Sequence, residues 1–298
     1  MLRALAVSLA TLALIVASGA SGVYAAESTS SAASAQSINS SQPTPNNFGK
    51  APSPDEDAVA EAVLLEALNL SRQRAGVPPM RMEESLREAA RLHAQRMVST
   101  QHLQHQLPGE PSLLQRIADV SSLALDRAGE NLANASCPDG AHDVLMRSPL
   151  HRKNLLDPHF SVAGIAAVWS HGRLYVVQDF GHITTSYSAK QTADLVRQSI
   201  RETRQGSSLS NLEQVAAPHL DEAACTLATQ NHPNARLIAA SYTNRRIITY
   251  TQSRPEILPP GAVRLLGNPN LQQFAVGSCY ARNANYPTGI YWVAILLN

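Results

Sequence analysis

The sequence predicts an α+β fold built in layers, with helices before and among a few strands. Three observations lead to it. Asp55 to Ala75 has acids in its first turn, apolar residues at Val59, Val63, Leu64 and Leu68, arginines in its last turn and Gly76 beyond, the pattern of an amphipathic helix. After the Val77-Pro78-Pro79 break, Glu83 to Val98 carries Leu86, Ala90, His93 and Met97 on one stripe, so His93 reads as part of a packed face. Val162 to Trp169 and Arg173 to Phe180 are rich in β-formers and flank Ser170-His171-Gly172, which reads as a hairpin.

Shorter elements lie between these. Leu113 to Ile117 predicts a helical turn and Gly140 to Arg147 a helix. In SPLHRKNLLDP, Ser148 suits an N-cap and Pro149 the first helical position, so Leu150 to Leu156 reads as a short helix closed by Asp157-Pro158. His151 then falls in the first turn. The helix dipole disfavours an imidazolium there and leaves a neutral ring with a lone pair for a metal or a proton. The plainer reading of a lone histidine is that it caps or packs.

The 298 residues, 44% of them hydrophobic, leave room for two modest domains. With 24 basic residues against 23 acidic, a formal net charge of +1 and no basic tract, neither nucleic acid nor an anionic membrane surface is favoured as a partner. Met1 to Ala26 has Arg3, the apolar run Ala4 to Ala17 and small residues ending at Ala25-Ala26, which predicts a secretory signal peptide. Cleavage leaves no stable membrane span and a secreted or periplasmic protein, whereas retention makes the segment an anchor. Residues 27–54 are Ser, Ala, Asn, Gln and Pro with scarcely a large apolar side chain, and read as a disordered tether. Cys137, Cys225 and Cys279 allow one disulfide and one free thiol in an oxidising compartment.

LNLSRQRAGVPPMRMEESLREAARLHAQRM, LQHQLPGEP, AGENLA, SPLHRKNLLDP, FSVAGIAAV and GRLYVVQDFG follow one another in the order of bacterial members of the CAP superfamily. These are SCP-like extracellular relatives of the cysteine-rich secretory proteins, antigen 5 and pathogenesis-related proteins. The resemblance covers roughly Asp57 to His182. It implies an α-β-α sandwich over residues 55–185 and a cavity onto which His105, Glu130 and His151 converge. Two imidazoles and a carboxylate are the ligand set of an open zinc or similar divalent site. The second glutamate of the animal and plant family members has no match here, Asp143 being the only acid available between Ala141 and Ser148. His102 is the ligand if the match slips by three residues. The alternative to a metal is that Glu130 caps backbone amides and the histidines complete a buried polar network.

Residues 191–298 contain four echoes of the first half in the same order. LDEAACTLA at Leu220 matches LREAARLHA at Leu86, and IRETRQG at Ile200 matches LSRQRAG at Leu70. LLGNPNLQQFAVG at Leu265 follows LLDPHFSVAG at Leu155, and GIYWVAIL follows GRLYVVQDF. They predict a smaller α+β domain that is a degenerate second copy, the alternative being two unrelated domains. In this alignment His93 falls on Leu227 and His151 on Gly261, and no GEN occurs, so the copy keeps layers and loses the site. Cys225 on its helix and Cys279 on its strand are the candidate disulfide.

The chain has no GxSxG, GxGxxG or Walker loop, and neither a nucleophile nor an oxyanion donor can be assigned. The leading expectation is therefore a secreted, non-catalytic or weakly catalytic module that binds a lipid-like molecule, a peptide or cell-wall material. The alternatives are a metal-dependent hydrolase of an envelope or extracellular polymer, and an adhesion module without a small ligand.

Overall fold

The computed structural model describes residues 56–298 and, as backbone, residues 13–17. The tether and the rest of the leader lie outside the described residues. The first half runs β1 (Ala13–Ala17), α1 (Ala58–Arg74), β2 (Arg81–Met82), α2 (Glu84–Thr100), α3 (Leu113–Val120), β3 (Leu125–Ala135), α4 (Pro138–Arg147), α5 (Pro149–Leu155), β4 (Val162–Ser170) and β5 (Arg173–Ile183). Its sheet has the order β1-β3-β5-β4-β2, with β2 parallel to β4 and the other pairs antiparallel. The expected hairpin joins β4 to β5 through His171 (φ 50°) and Gly172 (φ 70°), the two positive φ values of a tight two-residue turn.

Alternation along the strands divides the core between two faces. Ala163, Ile165 and Ala167 of β4 and Leu174, Val176 and Phe180 of β5 pack on Leu64 and Leu68 of α1, Leu145 of α4 and Leu155 of α5. Ala166 and Val168 of β4 and Tyr175 and Val177 of β5 pack on Ala90, Ala94 and Met97 of α2. Leu113 and Ile117 of α3 continue that face toward Ala128. This is the α-β-α sandwich. Arg72 locks one side of it. Fully buried, it donates from Nε to the Pro78 carbonyl (2.7 Å), from Nη1 to those of Leu155 (2.8 Å) and Asp157 (3.0 Å), and from Nη2 to that of Phe160 (3.1 Å).

The second half runs α6 (Ala189–Gly206), β6 (Glu213–Gln214), α7 (Leu220–Thr229), α8 (Arg236–Ala239), β7 (Arg246–Gln252), α9 (Pro260–Leu266), β8 (Gln273–Ala281) and β9 (Ile290–Leu297). Its sheet order, β7-β9-β8-β6 with β6 parallel to β8, reproduces β3-β5-β4-β2 with β2 parallel to β4. Side-chain detail repeats as well. Buried Arg204 donates from Nε to the Ser210 carbonyl (2.6 Å) and from Nη1 to those of Leu266 (2.7 Å) and Asn268 (3.1 Å), as Arg72 does in the first half. Gly164 and Gly277 each let a strand touch the start of a helix: an added Cβ would lie 2.1 Å from the Leu86 carbonyl carbon and 2.4 Å from that of Leu220.

These contacts correct two of the sequence echoes. Arg204 corresponds to Arg72, not Arg74, and His151 to Ala262, not Gly261. A short echo at a helix end can slide by a residue or two without breaking its apolar pattern, whereas a guanidinium bound to three particular carbonyls cannot.

Cys225 and Cys279 are bonded, with an S–S distance of 2.07 Å, which staples α7 to β8, and Cys137 is an exposed free thiol. The halves meet where Arg282 donates to the carbonyls of Ser121 (2.7 Å) and Leu123 (2.9 Å) and Thr288 to that of Leu125 (3.2 Å). No helix among the described residues is long and apolar enough to cross a membrane.

Candidate functional site

The site grows from two strand neighbours. Glu130 of β3 and Asp179 of β5 are directly opposite in an antiparallel pair, so their side chains share a face of the sheet. That face is covered by α2 and α3, and both carboxyls are wholly buried. They act on each other through charge, and neither Asp179 oxygen has a hydrogen-bond partner among the described residues. Arg116 of α3 donates through Nη2 to Glu130 Oε2 and through Nη1 to the carbonyl of His105 (3.0 Å). His105 Nδ1 is 2.6 Å from Glu130 Oε1. From α2, His93 places Nδ1 2.9 Å from Glu110 Oε1 and Nε2 3.8 Å from Glu130 Oε2. Glu110 also accepts the Leu107 amide (3.1 Å).

Electrostatics follows from this burial. Desolvation pushes the Glu130 carboxyl up to about 7, against the opposing pull of Arg116. Desolvation, with the negative charge of Glu130 added, pushes Asp179 well above the usual carboxylate range. Burial beside Glu130 thus favours the neutral form of Asp179. Desolvation, with Arg116 adding to it, holds His93 down at about 4, so a neutral ring donates its Nδ1–H to Glu110. Paired carboxyls that cannot both ionise give the network one stored proton beside one fixed guanidinium.

The three residues expected to converge are all buried. His105 and Glu130 are in direct contact. His151 lies in the first turn of α5 as expected, after Ser148, which occupies the N-cap position but makes no side-chain capping bond. The contacts of α5 with β3 run to Asn131, which follows Glu130 and points to the opposite face. Asn131 Nδ2 donates to the His151 carbonyl (3.2 Å), while Asn154 Nδ2 donates to Asn131 Oδ1 (3.0 Å) and to the Glu130 carbonyl (3.2 Å). The backbone of His151 is therefore tied to Glu130 around the edge of β3. His102 and Asp143 are exposed on the surface and take no part.

Residues 65–180 match the model of the cysteine-rich secretory protein family, CAP. Over that stretch the chain is similar to a CAP domain. An uncharacterized protein of Bacillus subtilis strain 168, YkwD, is 31% identical over 132 residues, which are 43% of this chain and 50% of that protein. An extracellular protein containing an SCP domain from Bacillus anthracis strain Ames is 24% identical and covers 45% of each chain, with a TM-score of 0.40. An outer surface protein from Borrelia burgdorferi is 18% identical over 43% of this chain and 95% of that one, also at 0.40. The chain spans about half the length of the curated relative it matches.

As arranged, the trio His105, Glu130 and His151 does not fit a metal. His105 Nδ1 and Glu130 Oε1 are engaged with each other, and the guanidinium on the remaining Glu130 oxygen repels a cation. Among the described residues no three His, Cys, Asp or Glu side chains are grouped to hold one. The groups gathered around His105 and Glu130 also include His93, Glu110, Arg116 and Asp179, none of which the sequence reading assigned to the site. His93 is corrected from packing residue to hydrogen-bonded member. One signal was available: Arg116 and Asp179 are ionisable residues within stretches read as packed helix and strand, where burial tolerates a charge only with partners.

Proposed function

We propose that this chain is an exported CAP-domain protein that binds an extracellular or envelope ligand beside His105 and Glu130 without transforming it. One observation carries the reading: both oxygens of Glu130 are held, by His105 and Arg116. A carboxylate so held is a fixed hydrogen-bonding platform rather than a free base. The network's hydrogen bonds run among imidazole, guanidinium and carboxyl groups, so no hydroxyl or thiol nucleophile is poised within it. Of its histidines, His105 is the nearer to solvent and is the group that meets a ligand. Export is supported by the apolar leader, by the disulfide, and by relatives described as extracellular and outer surface proteins.

The second half reads as a degenerate copy with a structural role. The register that faces Glu130 with Asp179 faces Thr249 with Ala294, and His93 is replaced by Leu227. Incubating the purified chain with peptide and peptidoglycan-fragment sets, with and without chelator, tests the whole reading. Retention of a ligand unchanged in mass and indifferent to chelator is expected. Release of a cleaved product, above all one that chelator abolishes, overturns it in favour of a metal-dependent hydrolase.

A further inference from the structure

We propose that the outer edge of β3 is a docking site for an extended apolar peptide, which joins the sheet as an added strand passing Glu130. The inference rests on the binding reading above and names a ligand class for it. Within the described residues β3 carries a strand on its outer side only over Arg127 to Asn131, and that strand is β1. Ala13 stands opposite Asn131, Leu14 opposite Glu130, Ile15 opposite Gly129, Val16 opposite Ala128 and Ala17 opposite Arg127. A five-residue apolar segment thus lies antiparallel on the same stretch that carries the Glu130 network, and α5, the helix of His151, packs against it. The added strand runs between a sheet edge and a helix.

That segment belongs to the stretch read as a signal peptide. Its removal uncovers a row of backbone N–H and C=O groups on the edge of a long strand. The edge lacks the usual guards. From Arg127 to Ala135 β3 contains no proline and no lysine, and its only register irregularity lies before this stretch, between Leu125 and Arg127. The edge is also locally smooth, because Ala128 and Gly129 are small. Main-chain pairing of this kind gives affinity with little demand on sequence, and contacts of alternate side chains then select. The seated residues, Ala-Leu-Ile-Val-Ala, are apolar and uncharged with the β-branched pair Ile15-Val16 at their centre, which sets the chemistry of the partner segment. The equivalent strand of the second half, β7, is shorter, begins at Arg246, and pairs on one side only among the described residues.

Hydrogen exchange of the full-length chain reads this edge directly. In the unaltered chain the amides of residues 127–131 that face outward are protected by β1. An Ile15→Pro/Val16→Asp variant should lose that protection by about tenfold or more, since proline removes a donor and breaks the added strand. A synthetic peptide of residues 11–18, flanked by lysines for solubility, should restore it, and the same peptide with proline at the Ile15 position should not. Protection unchanged in the variant, no restoration by the peptide, or equal restoration by the proline peptide each overturns the proposal. If a ligand recovered from the peptide and peptidoglycan sets binds in a His105-dependent way while exchange at 127–131 stays unchanged, strand docking falls and the binding reading stands.

Discussion

At the scale of single residues, the stored proton between Glu130 and Asp179 makes stability depend on pH in a stated direction. Both carboxyls are raised in the folded chain, so the fold binds a proton that the unfolded chain has released. The Glu130 contribution is full below the ordinary carboxylate range and is lost as pH rises through about 7, and that of Asp179 is likewise lost on the alkaline side. His93 works the other way. Held down at about 4, it contributes stability that is full above the usual histidine value of 6.5 and is lost as pH falls toward 4. Asp179→Asn removes one of the two raised carboxyls, so it should make the decline in Tm on the alkaline side shallower while leaving the acid limb in place. An alkaline limb as steep in the variant as in the unaltered chain would show that Asp179 holds no extra proton in the fold. Little of this was legible in the sequence. Glu130 and His105 could be picked out because they stand in blocks shared with a family. Asp179 and Arg116 become partners only when β3 meets β5 and α3 folds over them, contacts that sequence spacing does not encode.

At the scale of elements, the two glycines mark where strand and helix touch. Gly164→Ala and Gly277→Ala each force a methyl into the backbone of Leu86 or Leu220, which cannot yield as a flexible side chain would. Each should cost about 3 kcal/mol or more, or prevent folding, read from denaturant unfolding. Gly206→Ala, at a helical glycine with nothing within 4 Å of the added carbon, should change stability by no more than about 1 kcal/mol. Equal effects at all three positions would contradict the close packing and the equivalence of the halves. The elements themselves were largely legible because their periodicity is set by the faces they bury. The helix from Asp55 and the helix from Glu83 appear within a few residues of α1 and α2, and the hairpin turns at His171 and Gly172. Boundaries moved where caps decided them. Leu113 to Ile117 extends to Val120, and α4 starts at Pro138 because Cys137 Sγ accepts the Gly140 amide, an unusual N-cap.

At the scale of the molecule, one layered topology occurs twice and the chemistry once. The second half keeps the buried arginine, the strand-to-helix glycine and the parallel edge strand, which together hold a sandwich together. It replaces His93 with Leu227, Glu130 with Thr249, Asp179 with Ala294 and His151 with Ala262, and so removes the ionisable groups that a core tolerates only when all are paired. A copy relieved of the site is free to serve as a brace, and Arg282 and Thr288 grip the segment between α3 and β3 that leads into Glu130. The most direct test of this division is calorimetric titration of the full chain with the tightest ligand from the peptide and peptidoglycan sets, comparing His105→Ala with Thr249→Val and following Tm for both. The account predicts that His105→Ala weakens binding about tenfold or more and that Thr249→Val leaves it within about twofold. Undiminished binding in His105→Ala, or a loss confined to Thr249→Val, would place the site in the wrong half.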